Sequence, residues 1–362
     1  MRSEIVIPIF IASIILALSI GIVIGTSTIY QNPIPQADVE KQNEIISKVD
    51  VKSLIRINNE TDLLEKKNDL IGYIWKDGGF PSSKMPQSVE TATDDRYADM
   101  QNLGKIEKIS ISMESGVNSY AYLFVAKNPN NELLIYHGGH DGDFINGKST
   151  IQFFLNEGYS VLAFSMPLLG MNNQPIINTE DFGPIKLESH NYLVFLESPE
   201  FSPIKYFVEP IAVSLNYIET KYQFISYHMV GLSGGGWTAV LYSAIDDRVT
   251  DTFSVAGSLP FYLRSESDIG DYEQTVPDLY KIANYLELYV LDSGQNRELV
   301  QIFNKYDPCC FTNPKFETYE NEVKSALSKT GGGNFAIYLD DTHKQHKISD
   351  HALKIILDHI KE

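Results

Sequence analysis

The sequence predicts an α/β protein, and three observations carry that expectation. From Ile109 onward, short runs rich in Val, Ile, Phe and Tyr alternate with segments whose apolar residues recur at three- and four-residue intervals. The strand-like runs are continuously apolar, as expected for a mostly parallel sheet covered by helices on both faces. Loops carrying Gly with Ser, His or Asp follow several of them, at the strand ends where such sheets gather reactive groups.

The first element precedes that body. No charged residue occurs between Ile5 and Ala37, and Ile5 to Ile24 is almost wholly aliphatic. Twenty helical residues at about 1.5 Å each span roughly 30 Å, a bilayer's hydrocarbon thickness. The run exceeds the roughly 7 to 15 residues of a signal-peptide core. Residues 1–30 are therefore expected to form one uncleaved transmembrane helix, with residues 5–24 in the lipid bilayer. Arg2 lies before the helix, whereas Asp38 and Glu40 precede the first basic residue after it, Lys41. That asymmetry predicts a single-pass protein with a cytoplasmic N-terminus and an extracytoplasmic body. The sequon Asn59-Glu60-Thr61 would suit that side.

Residues 31–108 read as a linker and an N-terminal helical and loop extension. Asn32-Pro33-Ile34-Pro35-Gln36 is a stiff spacer, 38–70 has helical spacing, and 76–104 is loop-like. The body, 109–362, opens with strands at 108–115, 120–127 and 132–139, joined by the turn at Asn128-Pro129-Asn130-Asn131. Helix 148–158 and strand 159–166 follow, then helix 208–221 and strand 224–233, helix 237–245 and strand 250–258. The last third reads as helix 279–285, strand 286–292, helix 317–330, strand 334–339 and helix 350–362. A cap-like insert occupies about 172–207, and its Tyr192, Phe195, Phe201, Tyr206 and Phe207 either line an acyl pocket or pack the insert onto the body.

Composition narrows the function. With 29 basic and 47 acidic residues the net charge is −18, which repels phosphate backbones, and no Lys/Arg cluster offsets it; nucleic acid is excluded as a partner. The two cysteines, Cys309 and Cys310, are adjacent and cannot build a disulfide framework; whether they bond to each other is open.

Four loops carry chemistry. Gly231-Leu232-Ser233-Gly234-Gly235 lies between a hydrophobic strand and a helix. A serine on so sharp a turn has its hydroxyl exposed, so Ser233 is the expected nucleophile. His137-Gly138-Gly139-His140-Asp141-Gly142-Asp143 follows another strand, and its backbone N–H groups at Gly139 or His140, with that of Gly234, suit an oxyanion hole. A metal site from His137, His140, Asp141 and Asp143 is a weaker alternative, since the spacing lacks a helical H-x-x-x-H; no metal ligand is assigned. The loop before the last helix offers two imidazoles to activate the serine. His346 is preferred over the alternative, His343, because it lies nearer the start of that helix, whose expected cap is Ser349. The orienting acid is Asp307 in Asp307-Pro308-Cys309-Cys310, with Asp292 as the alternative at a strand end and Arg297 as a competing salt-link partner for Asp307.

Taken in order, strand-HGG, strand-G-x-S-x-G-helix, acid and then His before the terminal helix, the chain resembles the α/β-hydrolase superfamily over about 109–362, particularly its dienelactone-hydrolase-like and esterase or peptidase branches. The resemblance implies an eight-stranded mostly parallel sheet, an acyl-enzyme on Ser233, His346 as base and then acid, Asp307 supporting it, and no cofactor. The expected substrate is a small molecule or peptide carrying an ester, thioester or amide. In that family the acid commonly sits a few residues beyond a strand-ending glycine, whereas Gly294-Gln295-Asn296-Arg297 has no carboxylate, so Asp307 requires an insertion over 297–306. A non-catalytic binding protein on the same scaffold is the competing reading, and a metal-dependent hydrolase the third.

Overall fold

The computed structural model describes residue 44 and residues 46–265, 268–312 and 314–362. The expected membrane helix at 5–24 and the proline spacer lie outside the described residues. Among the described residues no helix is long and apolar enough to cross a membrane.

A nine-stranded sheet forms the centre. Its strands are β1 (Ser88–Ala92), β2 (Leu103–Ser112), β3 (Asn118–Ala126), β4 (Glu132–His137), β5 (Ser160–Phe164), β8 (Ser226–Leu232), β9 (Asp251–Val255), β10 (Glu298–Asn304) and β11 (Asn334–Asp340). Their order across the sheet is β1-β2-β3-β5-β4-β8-β9-β10-β11, with a separate hairpin of β6 (Ile176–Thr179) and β7 (Gly183–Lys186). The six strands from β5 to β11 run parallel, and β1 to β3 add an antiparallel edge.

Successive side chains of each central strand enter opposite layers, as period-two geometry requires. Leu133 and Ile135 of β4 join one core with helices α1 (Glu60–Trp75), α3 (Lys205–Lys221), α4 (Gly234–Ile245), α5 (Tyr285–Ser293) and α6 (Glu320–Leu327). Leu134 and Tyr136 join the other, with α2 (Lys148–Asn156) and α7 (Asp350–Ile360). Helices on both faces are what the continuous apolar strands predict.

Three expectations need correction. The run 286–292 is not a strand: it lies in α5, every residue of which is buried. Asn284 caps it, accepting from Leu286 and Glu287 N–H while the Glu287 carboxylate takes the Asn284 N–H, a capping box that fixes a helix start. The strand falls instead at β10, within the stretch thought to be an insertion. Residues 76–104 hold β1, the ninth strand beyond the eight expected. The helical stretch anticipated over 38–70 is broken, with a short helix at Val51–Leu54 and α1 starting only at Glu60 behind its cap Asn59. Leu63, Leu70 and Trp75 of α1 lie in the core, so this segment is built into the body.

Candidate active site

Register brings the site together. His137 at the end of β4 pairs with Gly231, Leu232 with Val255, Val255 with Ile302, and Asn304 with Asp340. The loops after β4, β8, β9, β10 and β11 therefore leave the sheet along one edge, and all candidate groups but Asp292 stand on them.

Ser233 closes β8 and caps α4 with φ 55° and ψ −127°, a left-handed backbone that a serine adopts only where its surroundings enforce it. The enforcement is close packing. A Cβ on Gly231 would lie 2.1 Å from the Gly235 oxygen, and one on Gly235 would lie 2.2 Å from the His137 oxygen. The turn closes only without those side chains, which leaves Ser233 half-buried on a cavity of about 350 Å³. His140, Gly257, Asp271, Cys309, Cys310 and Phe311 also line it.

Gly139 reaches the same turn: a Cβ there would stand 2.7 Å from Ser233 Cβ. Among the described residues, the backbone N–H groups of Gly139 and His140 meet no protein acceptor. That of Gly234, first in α4, has no intrahelical one. These are the three residues expected to supply oxyanion donors. His137, in contrast, is a core residue whose Nδ1 pairs with the Gly138 oxygen at 2.8 Å; burial pushes its pKa down to about 4.

Asp307 lies three residues beyond β10, so the absence of a carboxylate near Gly294 needs no insertion to explain it. Its Oδ1 accepts from the N–H groups of Cys309 (2.8 Å) and Cys310 (3.2 Å), and Oδ2 meets His346 Nδ1 at 2.7 Å. Burial works to raise the Asp307 pKa, but the His346 ring and these N–H groups outweigh it and hold the carboxyl below its ordinary value. Cys309 and Cys310 are joined in a disulfide, and the His346 ring reaches within 4.8 Å of both sulfurs, which line the Ser233 cavity. His346 Nε2 is buried without a hydrogen-bond partner, so no direct bond joins it to Ser233. Such contacts are commonly long before substrate arrives.

The alternatives lie elsewhere. His343 lies 3.3 Å from Asp340, and its Nδ1 accepts the Gln345 N–H. Asp292 is buried in α5 against Thr252 at 2.8 Å, not at a strand end. Arg297 donates to the Ser243, Leu291 and Gly294 oxygens rather than to Asp307. Asp143 caps a turn and pairs with Arg96 at 3.3 Å, and His137, His140, Asp141 and Asp143 do not converge as ligands. In the insert, Tyr206 and Phe207 are core, Tyr192 and Phe195 are exposed, and none of its aromatics lines the Ser233 cavity. The segment after β9 does so instead. A wider hollow of about 570 Å³ around Asn128 and Glu157 holds none of the candidate residues.

Sequence reading missed Gly257, where a Cβ would meet the Ser233 oxygen at 2.5 Å, and the two cysteine N–H groups on Asp307. The adjacency in Asp-Pro-Cys-Cys was the one available signal for the latter.

Strand order, the strained serine turn and the loops beside it define the α/β-hydrolase fold. Solved structures with the same fold include acetyl xylan esterase 1 from Thermoanaerobacterium sp. JW/SL YS485, at TM-score 0.56 and 12% identity over 85% of this chain and 96% of its own. An acetyl xylan esterase from Paenibacillus sp. R4 aligns at TM-score 0.55 and 13% identity, covering 86% and 98%. A methylesterase aligns at 0.55 and 14%, covering 88% of this chain and 67% of its own. No family profile matches the sequence, and no curated protein does.

Proposed function

We propose that this chain is a serine hydrolase that cleaves a carboxylic ester, or a related thioester or amide, through an acyl-enzyme on Ser233. The observation that carries the reading is the His346–Asp307 pair, 2.7 Å apart, with His346 Nε2 free of any hydrogen-bond partner and the ring within 4.8 Å of the two sulfurs that line the Ser233 cavity. Asp307 fixes the ring so that Nδ1 carries the proton and Nε2 presents a lone pair. Nε2 takes the Ser233 proton as Oγ attacks the acyl carbon, and the N–H groups of Gly234 and Gly139 or His140 stabilise the resulting oxyanion. The imidazolium returns its proton to the leaving group, and water repeats the cycle on the acyl-enzyme. The esterase neighbours support ester chemistry. The apolar run at 5–24 supports attachment to a membrane with the catalytic body outside the cytoplasm.

A fluorophosphonate probe tests the reading directly. We expect one adduct per chain, mapped to Ser233 by peptide mass spectrometry, and none in Ser233→Ala. Ser233→Ala and His346→Ala should each lower kcat for p-nitrophenyl acetate by at least three orders of magnitude, and the double variant hardly further, since such groups act as a unit. An unlabelled protein, or strictly additive losses, would overturn the assignment.

A further inference from the structure

Four side chains with metal-ligand atoms converge beside the Ser233 cavity, two of which, His140 and Asp271, line it. His140 Nε2 lies 3.2 Å from His190 Nδ1, 3.1 Å from Asp271 Oδ2 and 3.0 Å from Glu273 Oε1, and His190 Nδ1 lies 3.2 Å from Glu273 Oε2. Bonds of about 2.0 to 2.1 Å at tetrahedral angles place neighbouring ligand atoms roughly 3.3 Å apart. The contacts made by His140 and His190 thus fall near that spacing, and one ligand atom from each of the four residues lies within 4.8 Å of the others.

An outer contact fixes how the His190 ring is turned. His190 Nε2 is 2.8 Å from the Pro167 oxygen, which can only accept, so that nitrogen carries a proton. The other ring nitrogen, Nδ1, faces Glu273 and His140. His140 Nε2 has one proton at most for the two carboxylate oxygens beside it, Asp271 Oδ2 and Glu273 Oε1. Glu273 is fully buried and its Oε2 has no hydrogen-bond partner, although His190 stands beside it. Among the described residues no Lys or Arg pairs with Asp271 or Glu273. Two carboxylates and two imidazoles facing one point are matched by a cation at that point. The His190–Pro167 contact is the outer hydrogen bond that orients a metal-binding imidazole.

We propose that His140, His190, Asp271 and Glu273 bind one divalent transition ion of the zinc type. Two imidazoles favour such an ion over magnesium or calcium, and four protein ligands leave no open position, as in structural sites. The ion clasps the loop after β4, the insert after β5 and the segment after β9 over the cavity. Sequence reading assigned no metal because the ligands are scattered from 140 to 273; only the fold joins them.

The full chain, purified in detergent without reductant, is stripped with chelator and titrated with zinc chloride, using a competing chromophoric chelator and metal analysis. We expect one zinc per chain, a higher melting temperature with zinc, and no comparable effect of magnesium. Asp271→Asn, at the partly exposed ligand, should weaken zinc binding at least 100-fold, and Glu273→Gln should abolish the zinc-dependent rise in melting temperature. Wild-type protein that holds no zinc, or an Asp271→Asn variant that binds it as tightly as wild type, would overturn the proposal. Because the readout is metal content and melting, it stands or falls separately from the catalytic assignment.

Discussion

Asp307 is held charged by four separate donors. Two backbone N–H groups from the cysteine pair occupy one oxygen, while the His346 ring and, at 3.3 Å, the Asn304 amide meet the other. Because its folded pKa lies below the unfolded value, the stability it confers is complete above about pH 3.9 and is lost as pH falls through the lowered folded value. Between neutrality and pH 5 the acid therefore remains ionised. Any loss of rate in that interval has a cause other than protonation of Asp307. Asp307→Asn should keep the fold but remove the charge that stabilises the imidazolium, lowering kcat by about four orders of magnitude. A pH–rate profile of the wild type and steady-state rates of the variant check both points. A variant within tenfold of wild type would show that another carboxylate does the work.

At the scale of elements, the site depends on two loops that approach more closely than side chains permit. A Cβ on Gly139 would meet Ser233 Cβ at 2.7 Å and the Leu232 oxygen at 2.8 Å, whereas one on Gly235 would press only on the His137 and Gly138 backbone. Gly139→Ala should therefore displace an oxyanion donor and lower kcat about 10²- to 10³-fold with a modest change in melting temperature. Gly235→Ala opens the Ser233 turn itself, so it should lower kcat as well and in addition cost about 1 to 3 kcal/mol of stability by overpacking. Comparing rate and urea denaturation for the two variants separates these effects, and equal profiles would refute the distinction. The same loops explain what was legible beforehand. Ser233, Gly139 and His346 announce themselves because glycine flanks and strand-to-helix changes are local signals. The placement of β10 was missed because 286–292 and 298–304 are both short, continuously apolar runs, and periodicity cannot separate a wholly buried helix from a buried strand. Asn284 with Glu287 three residues later was the discriminating cue. The His140, His190, Asp271 and Glu273 cluster had no local cue at all, since sheet order alone brings its three segments together.

For the whole molecule, two fully buried groups, His137 and Asp292, contribute to the dependence of stability on pH with opposite sign. His137 has its pKa lowered to about 4 by burial, so below about pH 6.5 the unfolded chain binds the extra proton and stability falls on acidification. Burial drives Asp292 the other way, well above its ordinary value, with one oxygen on Thr252 and the other unpartnered; Arg297 offsets this only in part. There the folded chain binds the extra proton, so this contribution falls as pH rises from about 3.9 toward the raised folded value. Where the two pH intervals overlap, above about pH 4 and below about 6.5, the two slopes, each at most about 1.4 kcal/mol per pH unit, oppose one another. Asp292→Asn keeps an acceptor for the Thr252 hydroxyl and removes the ionisation. Its stability should exceed that of the wild type by a margin that widens with pH, by about 1.4 kcal/mol for each unit up to the raised pKa of Asp292. Urea denaturation of both full chains from pH 5 to 9 reads that margin directly, and contributions common to both proteins cancel in the difference. Parallel curves across the range would mean that Asp292 remains ionised in the folded protein, and that the Arg297 charge compensates its burial.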